Sequence, residues 1–190
     1  SKGDLFLQKH AILIIAALLL TASGGCTITH EFGPFMGKVV DAESGQPIEG
    51  AAVLISFYTK SGSVGGWVGK FADAFESLTD ANGDFMFPSK RINLFRGNAI
   101  WDKRVRISIF IPGYGAYPGH PDTYSSWQKN RSYFIPENEY IIYYLPQLAT
   151  IEERKKNLRN IAVPLTIDKN KMPNMQKLQR QERVNVGFKS

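Results

Sequence analysis

SLTDANGDFMFP, Ser77–Pro88, is the stretch that decides the fold class. Asn82-Gly83 stands between two runs of alternating character, and both residues accept the positive φ that a tight antiparallel turn requires. The segment predicts a β-hairpin, with the Asp80 carboxylate accepting backbone amides in its turn. Toward the N-terminus, AAVLISFY (Ala51–Tyr58) is apolar enough for a central strand. FMGKVVD (Phe35–Asp41) reads as another strand, separated from it by a loop, Glu43–Gly50, that Gly45, Pro47 and Gly50 punctuate. Toward the C-terminus, RVRISIFI (Arg104–Ile111) alternates basic and apolar side chains and halts at Pro112-Gly113, and EYIIYYL (Glu139–Leu145) is a further strand. Short strands with turn signals between them, and no strand–helix alternation, predict a mainly β, antiparallel sandwich over residues 35–167.

Within that span lie a Gly-rich insertion, 60–75, containing GSVGGWVGKF, and a helix over about 146–160 with Leu148, Ile151, Leu158 and Ile161 near helical spacing. Ile161–Ile167 reads as a last strand, and 168–190 as a basic tail that is at most weakly helical over Met172–Arg183. The 190 residues are 43% hydrophobic and 12% aromatic, which excludes a disordered chain. A formal charge of +6 is too mild to imply a nucleic-acid partner. The excess is also uneven. Residues 26–143 hold 11 basic and 12 acidic side chains, whereas 144–190 hold 10 and 4. The basic C-terminus fits a solvated helix face, with contact to anionic lipid or cell-wall polymer as the second reading.

Lys2 and Lys9 precede ten unbroken apolar residues, Ala11–Leu20, which lead into the small residues Thr21–Gly25. This is the layout of a secretory signal, 1–25, and it is too short for a spanning helix of about 20 residues. At its exit stands Cys26, the one cysteine of the chain, after Ser23-Gly24-Gly25. The arrangement resembles the lipobox of bacterial lipoproteins, although that family prefers an aliphatic residue where Ser23 stands. The resemblance implies a lipid on the thiol of Cys26, a mature chain that begins there, a tether over 26–34 and, as Thr27 is not Asp, residence at the outer membrane. The alternatives are ordinary cleavage after Gly24 and a chance buried thiol. A lone cysteine in an oxidising compartment favours the lipid.

GKVVDAESGQPIEGAAVLI (Gly37–Ile55), LTDANGDFMFP (Leu78–Pro88) and RVRISIFIPGYGAY (Arg104–Tyr117), in that order, resemble the carboxypeptidase regulatory-like domain. The resemblance covers about 80 residues. It implies a seven-stranded sandwich of transthyretin (prealbumin) type, here with a C-terminal helical extension. It is silent on residues 60–74 and on those beyond about Pro121.

No cofactor, metal or catalytic residue is expected. Gly69-Lys70 lacks the upstream Gly and the following Ser or Thr of a phosphate loop. Asp80, Asn82 and Asp84 have calcium-loop spacing, but Arg91 stands where the bidentate Glu belongs. His120, Asp122 and Ser125 or Ser126 are too close in sequence for a triad, and no nucleophile elbow is present. The aromatic residues Trp67, Tyr114, Tyr117, Tyr124 and Trp127 are the candidate ligand contacts, as a stacking platform for sugar rings or as caps on the core. The function expected is a non-catalytic, lipid-anchored envelope protein whose sandwich binds or scaffolds an envelope protein. The rivals are a glycan-binding module and an envelope hydrolase.

Overall fold

The computed structural model describes residues 27–127 and 133–188. The fold is mainly β, with antiparallel and mixed sheets. Ten strands are present among the described residues: β1 Thr27–Phe32, β2 Phe35–Asp41, β3 Ala52–Ser63, β4 Gly66–Leu78, β5 Asp84–Phe87, β6 Lys90–Phe95, β7 Ile100–Phe110, β8 Tyr124–Ser125, β9 Phe134–Ile135 and β10 Tyr140–Leu145. Helices α1 (Ile151–Arg159) and α2 (Pro173–Asn185) follow, with a 3₁₀ turn, Lys169–Lys171, before α2. One sheet runs β5-β2-β10-β8, the second β4-β3-β7-β9, and β1 pairs with β6 as a ribbon.

The main core lies between the two four-stranded sheets. Val53, Ile55 and Phe57 of β3 and Val105, Ile107 and Ile109 of β7 meet Phe35 and Val39 of β2, Phe85 and Phe87 of β5, and Ile141, Tyr143 and Leu145 of β10. These are alternate positions on every strand, as the period of two demands. The six residues Ala52–Phe57 are buried without a break, because β3 is central in its sheet and its outer face is covered too. That cover is the C-terminal region. Met172 and Met175 pack on Ala52, Leu54, Ala74 and Phe110, with Ile161, Val163 and Ile167 alongside.

Several expectations are corrected. Residues 27–32 are a strand and not a tether: TITHEF alternates, and its last ring, Phe32, is wedged between Phe57 and Trp101. The Gly-rich stretch 60–75 is the outer part of a long β3–β4 hairpin paired from Ala52↔Leu78 to Ser63↔Gly66. Asn82-Gly83 forms a turn, with Gly83 at φ +77 and Asp80 Oδ1 accepting from the amides of Asn82 and Asp84 (both 2.9 Å). However, it joins strands of different sheets, since β4 pairs with β3 and β5 with β2. The architecture is not purely antiparallel, because β10 lies parallel to β2 from Tyr140↔Met36 to Leu145↔Asp41.

The helix predicted from 146 begins only at Ile151. Thr150 and Glu153 form a reciprocal capping box there, while Gln147 and Leu148 are held by the Tyr114 and Gly113 backbone. Ile161–Ile167 forms no ladder. Its apolar side chains lie on the outer face of the second sheet, and Ser108 Oγ donates to the Ala162 carbonyl. The C-terminal tail is a docked helix. Glu182, with no exposed surface, receives Arg154 in a two-pronged pair (2.7 and 2.5 Å) and also accepts from the Gly113 amide.

Candidate functional site

The two sheets differ in what covers them. Opposite the C-terminal cover, the outer face of β5-β2-β10-β8 carries no helix among the described residues. Register places its side chains in rows: Met86–Met36–Tyr140, then Asp84–Lys38–Ile142, then Val40–Tyr144–Tyr124. Met86 is 62% exposed and Tyr140 52%, whereas Met36, Lys38, Ile142 and Tyr144 are half-buried by one another. Tyr140 Oη reaches across β2 to donate to Asp84 Oδ1, which lays the ring over the sheet. Partial burial and the Asp84 carboxylate raise the phenol to about 12, so it stays a proton donor. Tyr124 and Tyr144 stack face to face, with centroids 4.5 Å apart and planes within 10°. The edge continues through Ser126, whose hydroxyl accepts from the Ile142 amide (2.9 Å), to the exposed Trp127.

The structure brings together two of the five aromatic candidates. Tyr124 and Trp127 lie along one edge of this face. Tyr117 is 1% exposed and stands edge-on to Tyr143 in the core, so it offers no stacking surface. Tyr114 is half-buried, with its hydroxyl accepting from Gln147 Nε2 (3.1 Å). Trp67 pairs with Gly62 near the hairpin tip, ten residues along β3 from Ala52, the partner of Phe110. At about 3.4 Å per residue, it stands roughly 30 Å from the end of the sheet that carries Tyr114 and Tyr117. A single platform of all five is therefore ruled out. Tyr140, Tyr144, Met36 and Met86 were passed over as site residues. The readable signal is the alternation in YIIYYL, whose outward positions Tyr140, Ile142 and Tyr144 carry no charge.

One cavity, of about 110 Å³, is lined by Ser56, Tyr58, Arg106, Ser108 and Tyr133, and two more are larger. One, of about 160 Å³, is lined by Phe32, Phe35, Ile55, Phe57, Phe75 and Phe87, with Lys90 Nζ 4.0 Å above the Phe75 ring. Its size is that of one aromatic ring, and Lys90 is its single polar side chain. The other, of about 180 Å³, joins His120 and Asp122 to Glu153, Lys156 and Asn157. Here Asn157 is already committed, accepting from the Ala116 amide (2.8 Å) and donating to the Tyr114 carbonyl (2.9 Å). Among the described residues no three of His, Cys, Asp and Glu are placed to hold a metal ion. No described helix is long and apolar enough to cross a membrane. Cys26 and the signal-like segment 1–25 lie outside the described residues. Compared with protein-family models, curated proteins and solved structures, the chain matches none of them.

Proposed function

We propose that this chain is a non-catalytic envelope protein, anchored through a lipid on Cys26, whose β-sandwich presents the outer face of β5-β2-β10-β8 to an envelope protein partner. The single observation that carries the reading is the asymmetry of the two sheets. One outer face is covered by the C-terminal helix, and the other carries no cover among the described residues although it holds Tyr124, Tyr140, Tyr144, Met36 and Met86. Tyrosine and methionine are enriched at the centres of protein interfaces, and an uncovered sheet face of this make-up favours binding over solvation alone. The sandwich itself is read as a transthyretin-like, carboxypeptidase regulatory-like domain with extra edge strands.

The test is site-specific photo-crosslinking in the native envelope. Probes at Met86 and Tyr124 are expected to capture the same partner, a probe at Val184 on α2 to capture none, and Tyr140→Ala to abolish the capture. Equal capture from Val184, or none from the sheet face, sinks the reading. Tyr124 and Trp127 on the exposed edge favour a second reading, glycan stacking. Retardation of the protein in polysaccharide gels, removed by Trp127→Ala, would establish it. The anchor is tested apart from either, by the mass of the N-terminal peptide: a bare thiol on Cys26 refutes the lipid.

A further inference from the structure

The β3–β4 hairpin outruns its sheet. β7 last pairs with β3 at Lys60↔Ile100, so Ser61–Ser63 and Gly66–Gly69 continue as a ribbon of two strands. The tip, Ser61–Gly69, reads SGSVGGWVG and contains no charge. Val64 is fully exposed, and Trp67 and Val68 are 67% and 55% exposed. A cluster of apolar side chains at a projecting tip has no role in the core, and such clusters mark contact surfaces.

Two further exposed apolar residues share this pole. Ile100 is the partner of Lys60, and Phe95 precedes Arg96, whose guanidinium ties it to the hairpin through Thr59 Oγ1 (2.6 Å) and the Phe71 carbonyl (2.7 Å). Lys60 and Lys70 flank the base of the projecting ribbon, and further basic residues stand behind them along the sheet. Over 60–70 and 95–104, Lys60, Lys70, Arg96, Lys103 and Arg104 stand against one acid, Asp102, which Arg104 already pairs (3.2 Å). The path of the chain supplies the third observation. Thr27 pairs with Phe95, so the described chain enters the sandwich at this same pole.

We propose that this pole seats on an anionic lipid bilayer, with Val64, Trp67 and Val68 in the headgroup–acyl boundary and the surrounding Lys and Arg on lipid phosphates. An uncharged Gly/Val/Trp tip with cations behind it matches that boundary, where tryptophan is favoured and each basic residue contributes by attraction to anionic lipid. The proposal deepens the membrane-bound reading but does not use Cys26. It also places the basic helix α2, which packs on Ala52, Leu54 and Ala74, toward the far end of the molecule and away from the bilayer.

The experiment uses the mature chain, residues 26–190, with Cys26→Ser and a single new cysteine carrying an environment-sensitive dye. The label stands at Val64 or, as a control at the opposite pole, at Glu49. Vesicles are an equal mixture of phosphatidylglycerol and phosphatidylcholine, with and without nitroxide on the acyl chains. On protein-bearing vesicles the Val64 label is expected to shift to the blue, brighten several-fold and be quenched by the nitroxide, while the Glu49 label stays as in water. Lys60→Gln with Lys70→Gln should weaken binding about 30-fold, the loss expected for two interfacial cations. The proposal is overturned if the protein does not bind the vesicles, if the Val64 label stays in water on vesicles that carry the protein, or if both labels respond alike. A lipid on native Cys26 stands or falls by its own mass measurement, because the labelled chains lack that cysteine.

Discussion

Gly37 shows how a single position can be readable while its reason is not. It stands in the G-x-V-x-D motif of β2, yet what excludes a side chain is β10, a hundred residues later: a Cβ on Gly37 would lie 2.2 Å from the Ile141 carbonyl oxygen and 3.0 Å from the Phe85 ring. Backbone cannot yield as a flexible side chain can, so Gly37→Ala is expected to cost about 3 kcal/mol, measurable as a lower denaturant midpoint. Tyr143 shows the reverse case. Its hydroxyl is buried with no hydrogen-bond partner among the described residues, and burial drives its pKa well above the ordinary phenol value. Tyr143→Phe removes a polar group that gains nothing from folding, and stability is expected to hold or to rise by about 1 kcal/mol. Sequence alone places Tyr143 in a strand. It does not reveal that the alternation leaves Tyr143 inside while Tyr140, Tyr144 and Tyr124 form a face outside.

At the scale of elements, β2, β5, β10, the first half of β3 and the second half of β7 are legible because their signals are local, whereas β1, β4, β6 and α2 depend on partners outside their own stretch of sequence. The helix over Pro173–Asn185 has only a weak stripe of its own, and Met175 and the Arg154–Glu182 pair hold it to the sheet and to α1. Burial alone would raise the Glu182 carboxyl above its ordinary 4.5, but the bonds from Arg154, the Gly113 amide and Asn185 outweigh burial and lower it. A carboxyl lowered by folding stabilises fully above its ordinary value and loses that contribution as pH falls through the folded value. Undocking of α2 is therefore expected in acid below about 4.5, read as accelerated amide exchange over 173–185. Arg154→Ala leaves the buried carboxylate unpaired. At neutral pH it should cost about 3 kcal/mol, a loss that shrinks on acidification as Glu182 takes up a proton.

For the molecule as a whole, the division of labour between its two sheets rests on the C-terminal segment, which composition described as a basic tail. Its charge is real, but Met172 and Met175 turn it into a lid on Ala52, Leu54 and Phe110, three side chains with no exposed surface. A chain ending at Asp168 is expected to keep its strand signature and to bind more of a hydrophobic dye than the full chain. Dye binding equal in the two would show that the helix covers nothing. The parallel pairing of β10 with β2 adds a consequence in time. The β3–β4 hairpin closes between near neighbours, but Met36 must wait for Tyr140 before the second sheet can assemble. Ordering so long a loop precedes any reward from the contacts it brings, which places folding in the milliseconds-to-seconds range typical of β proteins with distant pairings. Stopped-flow refolding is expected to show this slow closure. For the export proposed above, so late a fold keeps the chain threadable: until β10 has emerged, β2 lacks its parallel neighbour, and the polypeptide can pass a translocation pore before it has a sandwich to unfold.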